Sequence, residues 1–137
     1  MPNHFHLMVQ QLNERAMVEL IQRLINAYVR YFNNKYNRKG EGSLFQGRYK
    51  AVLIERESHF LHLPYYIHHN PYDLYKYDRD VVKKVQNYSW SSYADYLGKR
   101  NTIWVRKKGL MSQFMESEKQ KFSIEESRKI LGPVVLD

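Results

Sequence analysis

Two histidines near the start of the chain, His4 and His6, flank the bulky apolar residue Phe5. On an extended strand alternate side chains point to the same face, so both imidazoles would lie on one side, roughly 6–7 Å apart. Two imidazoles at that separation are able to share one metal ion or one phosphate group. A His-x-His pair on its own is more often a pair of solvated side chains, so its interpretation depends on what else the chain places nearby.

A second segment carries a phenol and a carboxamide four residues apart, at Tyr66 and Asn70. On a helix that spacing puts both on one face, with Cβ atoms about 5–6 Å apart. If that face packs over the strand with His4 and His6, a divalent metal held by the imidazoles and the amide oxygen would polarise a phosphate while the Tyr66 hydroxyl attacks phosphorus. A phenol with a pKa of about 10 is a poor nucleophile at neutral pH, so this chemistry requires the metal.

Each of these residues also has an ordinary structural interpretation. Tyr66 is equally typical of a protein core, and Asn70 stands directly before a helix-ending proline, Pro71. Imidazole pairs are more typical of zinc than of magnesium sites, so the ligands leave the identity of the metal open. The other histidines are predicted to lie on the surface; they are His59, His62, His68 and His69.

The composition limits the class of protein. The 137 residues suit a single domain, and a net charge of +8 with a pI of about 9.6 favours a polyanionic partner such as nucleic acid. Aromatic residues make up 15% of the chain and most are tyrosines, which offer flat surfaces for unpaired bases. Cysteine is absent, which excludes a disulfide framework and thiolate metal sites. Because the chain has no apolar run of about 20 residues and no signal peptide, we expect a soluble, cytoplasmic protein.

The elements that would position these residues follow from the hydrophobic pattern. Residues 4–10 are predicted to form a short strand. Apolar residues at three- and four-residue steps predict one long amphipathic helix over residues 13–37, with Asn13 as its N-cap and Gly40 just past its end. Residues 42–55 are rich in β-branched and aromatic residues and are predicted to be extended.

The second half of the chain is predicted to be mainly helical. A helix is predicted over residues 58–70. Pro64 within it either kinks the helix or is the first residue of the helix that carries Tyr66 and Asn70, after a short turn. A shorter helix covers residues 89–97 and is closed by Gly98. After residue 109 the chain is polar and rich in lysine, which predicts one weak peripheral helix.

Basic residues cluster where the long helix leads into the extended segment. Arg48 and Lys50 would share one face of that segment and are our first choice for phosphate contacts. Arg38 and Lys39, at the end of the long helix, are weaker candidates for the same phosphate contacts.

Four strings in fixed order, MPNHFHLMV, GSLFQGRYKAVLIE, YIHHNPYDLY and YSWSSYADYLG, closely resemble the REP-associated tyrosine transposase group of the HUH single-tyrosine (IS200-like) transposases. The resemblance extends from Met1 to about Phe114. It implies an α+β fold in which an antiparallel sheet, ferredoxin-like in the intact family, packs with helices. In that fold the HUH motif lies on a strand and the catalytic tyrosine on a helix.

The resemblance also implies an activity and its residues. In the family, single-stranded DNA is cut at or near a hairpin and rejoined through a 5′-phosphotyrosine intermediate that leaves a free 3′-OH. The two histidines that bind Mg²⁺ or Mn²⁺ match His4 and His6, and the polar ligand one turn after the tyrosine matches Asn70. The nucleophile matches Tyr66 rather than Tyr65, and no nucleotide cofactor is implied.

Two departures from the family bear on the structure. Relatives usually carry a strand, a helix and another strand before the MPNH turn at which this chain starts. We therefore expect an N-terminally truncated catalytic domain over residues 1–115 and a polar segment over residues 116–137. The histidine strand would then have an open edge, which predicts self-association, most simply as a two-fold homodimer. The second departure is Pro64, where the family usually has a helix former.

Two other functions fit parts of this pattern. A catalytically inactive, truncated descendant would only bind structured DNA or RNA through its basic surface. A structural protein would use its charge only to stay in solution. Metal-dependent nicking of a single-stranded oligonucleotide separates the transposase from the inactive descendant, and salt-sensitive binding separates that descendant from the structural protein.

Overall fold

The computed structural model describes residues 4–38, 40–120 and 122–132. These residues form helices, which we number in chain order, and they divide into two compact units. The small unit is Met8–Ala51, and the large unit combines Met1–Leu7 with Val52–Asp137. The helices are α1 (Ala16–Lys35), α2 (Glu57–His69), α3 (Tyr72–Tyr75), α4 (Val81–Gln86), α5 (Tyr93–Tyr96), α6 (Met111–Gln120) and α7 (Ile124–Leu131).

The predicted α+β fold is wrong: among the described residues no strand is present. Residues 4–10 and 42–55, both predicted to be extended or strand-forming, carry neither helix nor strand. A strand exists only when a neighbour accepts and donates its backbone hydrogen bonds, and β propensity alone cannot supply that neighbour. Because no sheet forms within the described ranges, the open sheet edge that we predicted at the histidines is also absent from them.

The small unit contains α1. Its length confirms the predicted long helix, but both of its ends differ from the predicted ones. The N-cap is Arg15, not Asn13; the side-chain oxygen of Asn13 instead accepts from the Arg15 backbone at 3.3 Å, in the turn before the helix. The helix stops at Lys35, and Asn37 follows with a left-handed φ of 51°. No residue of α1 is buried.

The large unit is built around α2. Helices α6 and α7 both pack against α2, and α3 packs against α4. The hydrophobic core cluster is mostly aromatic and comes from three different helices, which explains how short helices hold together without a sheet; its members are Val85, Tyr93, Tyr96 and Phe114.

Helix α2 runs through Pro64 without a break. The alternative in which the helix that carries Tyr66 begins at Pro64 is therefore wrong. Proline has no N–H, and one helical hydrogen bond is therefore missing inside α2. The same turn carries Leu63, Pro64 and Tyr66, all buried. Their packing against α6 and α7 outweighs the loss of that one bond.

The C-terminal part differs from the single peripheral helix that we predicted. It forms two helices, α6 and α7, and both contribute fully buried side chains, Phe114 at 1% and Leu131 at 0% exposed. Small serines, Ser117 and Ser127, are also fully buried and let the helices approach closely. The polar composition hid these helices from the sequence analysis, because only a few apolar residues, among them Phe114, Ile124 and Leu131, form the buried face.

Two further predictions concern boundaries. Of the helix predicted over residues 89–97 only α5 is helical, and the other residues form turns and bends. Gly98 follows with a left-handed φ of 72°, as expected for a residue that closes a helix. Helix α6 spans the predicted boundary at residues 115 and 116, and the two-domain assignment stays a prediction. Within the described residues no helix has the length and apolar character required to cross a membrane.

Candidate active site

Helix α2 fixes the position of Tyr66, whose side chain is completely buried at 0% exposure. The ring meets the imidazole of His6 edge-on, with centroids 5.9 Å apart and an interplanar angle of 75°. Since residues 4–7 and α2 belong to the same compact unit, this contact joins two parts of the chain that the sequence separates widely.

The two histidines lie side by side. The ring centroids of His4 and His6 are 5.0 Å apart in an edge-on arrangement, and the Nε2 atoms of both rings are buried. The pair lies together although residues 4–10 form no strand. The structure therefore brings His4, His6 and Tyr66 together.

Asn70 follows α2 directly and keeps helical dihedral angles, with φ −51° and ψ −37°. It lies one turn after Tyr66 and is 3% exposed. Its Oδ1 atom is buried and has no hydrogen-bond partner among the described residues. A buried amide oxygen without a partner is costly unless a ligand satisfies it.

Tyr65, the neighbouring phenol, has a different environment. Its ring stacks on that of His69, with centroids 3.9 Å apart, and meets Phe122 edge-on at 6.0 Å. Burial and the nearby carboxylate of Glu118 raise the pKa of Tyr65 above its usual value. The two adjacent tyrosines thus face different partners, and only Tyr66 contacts the histidine pair.

A partly buried polar network supports the C-terminal half of α2. The Tyr93 hydroxyl donates to Glu118 Oε2 at 3.0 Å and lies 3.2 Å from Nε2 of His69, whose Nδ1 is 3.0 Å from the Tyr65 carbonyl. Burial raises the pKa of Tyr93 and of Glu118 and lowers that of His69. These contacts hold α2 against α5 and α6.

The prediction that the other histidines lie on the surface is wrong for His62 and His68, which are 6% and 4% exposed. His62 Nδ1 is 3.3 Å from the Ser127 hydroxyl, and His68 Nε2 is 3.0 Å from that of Ser92. Burial, with a smaller contribution from His69, lowers the pKa of His68 to about 3. Both side chains are neutral structural members of α2, because they tie it to its neighbours.

Arg128 is a functional candidate that sequence reasoning missed. It lies on α7, where its Nη2 atom is 2.8 Å from Oδ2 of Asp73, and its side chain is close enough to Tyr66 for that phenol to raise the pKa of the guanidinium. The hydrogen bond to Asp73, together with the contact to Tyr66, raises the pKa of the guanidinium above its already high value. The capping box of Ser123 and Glu126 could have revealed where α7 begins, but no local signal marks Arg128.

The donors available for a metal are two imidazoles and one amide. The described ranges contain no cluster of three or more His, Cys, Asp and Glu side chains. A divalent ion would therefore need Asn70 as a third ligand beside His4 and His6. The buried Nε2 atoms and the unsatisfied Oδ1 atom fit that donor set.

The predicted DNA-binding residues lie in the small unit, apart from Lys39, which is outside the described residues. Arg48 and Lys50 are exposed, on a segment that is not a strand. Arg38 is engaged already: its Nε atom is 2.7 Å from Oε2 of Glu41 and its guanidinium stacks over Phe32 at 5.8 Å. This makes Arg48 and Lys50 the more accessible cations.

A buried tyrosine, a histidine pair and a carboxamide, in a strongly basic chain, are side chains suited to phosphodiester chemistry on nucleic acid. A family model described as "Transposase IS200 like" matches residues 1–70, which is half of the 137-residue chain, and so defines the class as a transposase. More narrowly, the chain belongs to the IS200-like transposase family. The matched range includes His4, His6, Tyr66 and Asn70. No curated protein and no solved structure matches the chain.

Proposed function

We propose that this protein cleaves and rejoins single-stranded DNA through a covalent bond to Tyr66, in a metal-dependent transposase reaction in the cytoplasm. One observation carries the proposal: the buried ring of Tyr66 contacts His6, which adjoins His4, in a chain of the IS200-like family. The net charge of +8 supports DNA as the partner.

Tyr66 is the nucleophile. Its phenolic oxygen bonds to the phosphorus of the scissile diester, and the bond from phosphorus to the 3′ oxygen breaks. The phenol gives its proton to solvent and the departing 3′ oxygen takes one up, which yields a 5′-phosphotyrosine and a free 3′-OH. Attack by that 3′-OH on the phosphotyrosine reverses the step and rejoins the strand.

The surrounding residues orient Tyr66 and would hold the metal. The edge-on contact with His6 restricts the phenol ring, so its hydroxyl has few orientations. His4, His6 and Asn70 would bind Mg²⁺ or Mn²⁺ through two imidazole nitrogens and an amide oxygen. When bound, the ion supplies Lewis-acid polarisation of the phosphate oxygens.

The DNA backbone would be held by Arg48 and Lys50. Arg38 would contribute less, because its guanidinium already forms an ion pair with Glu41. Exposed tyrosines of the small unit, Tyr28 and Tyr31, are available to stack on unpaired bases near a hairpin. The edge-to-edge homodimer required a sheet, and the described residues contain no strand, so we propose the reaction for a single chain.

The direct test is capture of the covalent intermediate. Oligonucleotides with a stable hairpin, randomised single-stranded flanks and a label at the 3′ end are incubated with the protein and Mn²⁺, and products are separated under denaturing conditions. Because the 5′ phosphate of the downstream fragment joins the tyrosine, the 3′ label should move with the protein. The Tyr66→Phe variant should give no adduct, and Tyr65→Phe, the matched control, should give the normal amount.

Two results would contradict the proposal. Loss of the adduct in Tyr65→Phe but not in Tyr66→Phe would show that the nucleophile is misassigned. Salt-sensitive DNA binding without any adduct, in Mg²⁺ and in Mn²⁺, would instead support the inactive descendant that only binds nucleic acid.

A further inference from the structure

Helix α7 is firmly attached to the helix that carries Tyr66. Its buried face contains Ile124, Ser127 and Leu131, and Ser127 meets His62 of α2 at 3.3 Å. The capping box at its start satisfies backbone donors that a helix end otherwise leaves open. Packing therefore holds the backbone at Arg128 in place, so the Cα atom that carries the side chain has a fixed position.

The guanidinium of Arg128 is directed by two partners. Asp73 accepts from Nη2 at 2.8 Å, and the Tyr66 phenol is near enough to raise the pKa of the same side chain. The Nε atom is buried and has no hydrogen-bond partner among the described residues. Arginine has five N–H donors in a rigid planar fork, so a donor is left for a further acceptor at this position.

A purely structural role explains this arrangement poorly. The Arg128 and Asp73 side chains are 39% and 44% exposed, and ion pairs of such exposure contribute little to stability. A structural ion pair also does not require its arginine to lie beside a buried phenol, nor to leave a buried Nε atom without a partner among the described residues. Both features are expected if the guanidinium acts on whatever Tyr66 attacks.

We propose that Arg128 is a catalytic residue: its guanidinium holds the Tyr66 oxygen and donates to a non-bridging oxygen of the phosphate under attack. The inference rests on the proposed function. Attack by the phenol places additional negative charge on these oxygens while the bond to the 3′ oxygen breaks, and a fixed cation stabilises that charge more than it stabilises the starting diester. Asp73 is a positioning residue, because it acts by orienting Arg128.

The test compares two substrates after the cut site has been mapped from the length of the released 5′ fragment. One substrate is the ordinary DNA, and the other has a neutral methylphosphonate at the cut position. For the ordinary diester, Arg128→Gln should lower the single-turnover rate constant of adduct formation by about 10²-fold or more. For the methylphosphonate, which is neutral before attack and keeps only one non-bridging oxygen, the same substitution should have a far smaller effect.

Three further proteins complete the experiment. Lys129→Gln removes the same charge from the next residue of α7, which is exposed, and should keep the rate within about twofold on both substrates. Arg128→Lys keeps a cation without the planar fork and should restore part of the rate. Asp73→Asn leaves Arg128 in place and should lower the rate by less than Arg128→Gln does.

The outcomes are distinguishable. No adduct with the unmodified protein would overturn the proposed function and this inference together. A normal adduct from the unmodified protein, with an equal rate for Arg128→Gln, would overturn this inference alone. An equal loss of rate on both substrates would overturn it as well, because a structural defect acts regardless of phosphate charge; the Lys and Asp73 variants decide the matter if Arg128→Gln does not fold.

Discussion

Tyr65 and Tyr66 are adjacent tyrosines, but the proposed reaction uses only Tyr66 as its nucleophile. Tyr65 stacks on His69, whereas Tyr66 contacts His6 and Arg128. The choice between them followed from the four-residue spacing to Asn70 and from the resemblance to the transposases, not from the phenol itself. Arg128 could not be found in this way, because it comes late in the sequence and resembles any exposed charge on an amphipathic helix.

At the residue scale, we predict that Mn²⁺ binding requires His4 and His6 together. Either His→Ala substitution should weaken binding by more than about tenfold, because each removes a direct ligand and even outer-shell changes cost that much. Asn70→Ala should weaken it too. Isothermal titration calorimetry measures the effect.

The control for metal binding is His59→Ala, a histidine in the first turn of α2 that is not buried. It should bind Mn²⁺ normally. His68 and His69 are unsuitable controls because both pack inside the large unit. Equal weakening in His59→Ala would show that the histidines bind the ion without a defined site.

At the scale of elements, hydrophobic periodicity predicted helices well and strands poorly. A helix satisfies its own backbone, so α1 and α2 are visible in local sequence. A strand depends on a partner elsewhere, and residues 4–10 and 42–55 have strand-like composition without one. Helices α6 and α7 were predicted as one weak peripheral helix, because their burial depends on packing against α2, which their own sequence does not show.

The attachment of α7 gives the second prediction. Leu131→Ala should lower the free energy of unfolding by about 2–5 kcal/mol, since its side chain is 0% exposed and a cavity would remain. Ile130→Ala, one residue earlier and 41% exposed, should change it much less. Urea denaturation followed by circular dichroism measures both. Similar losses in the two variants would mean that the buried face of α7 is misassigned.

The loop after α5 gives the third prediction, on pH. Burial opposes ionisation of Asp95, but Arg100 at 2.8 Å and the Thr102 backbone at 2.6 Å lower its pKa from 3.8 to about 2. The charged form therefore stabilises the fold above the unfolded-state pKa, and this contribution is lost as pH falls through the folded-state value. It amounts to about 2 kcal/mol.

Asp95→Asn is the matching variant. Between about pH 4 and pH 2 the stability of the unmodified protein should fall more steeply than that of Asp95→Asn, because the variant has no carboxylate to protonate at that position. Chemical denaturation at a series of pH values measures the slopes. Parallel slopes would show that Asp95 does not titrate as described.

At the scale of the whole molecule, the composition indicated a nucleic-acid partner, in keeping with the transposase family, but it did not indicate the fold. A charge of +8 and a high tyrosine content are properties of a nucleic-acid surface whatever backbone carries them. The two-unit organisation could not be derived, because nothing in the sequence marks Leu7 or Ala51 as unit limits.

The fourth prediction concerns salt. Neutralising Arg48 and Lys50 with glutamine should flatten the slope of log affinity against log salt by about 0.7 per lost phosphate contact, so by about 1.4 for the pair. Fluorescence anisotropy with a single-stranded oligonucleotide measures the slope. The double variant Lys119→Gln and Lys129→Gln, with two exposed lysines of α6 and α7, should keep it. An unchanged slope for Arg48 and Lys50 would locate the DNA-binding surface elsewhere.

The absence of buried side chains in α1 has a dynamic consequence. A helix whose apolar face is only half-buried gains little stability from packing, so its amide protons should exchange with deuterium much faster than those of α2. Hydrogen–deuterium exchange mass spectrometry on peptides from the two helices measures this, and equal protection would contradict it. Added single-stranded DNA should slow exchange in α1, since its exposed tyrosines, Tyr28 and Tyr31, are proposed to stack on bases. Ordering α1 would then offset part of the free energy of DNA binding.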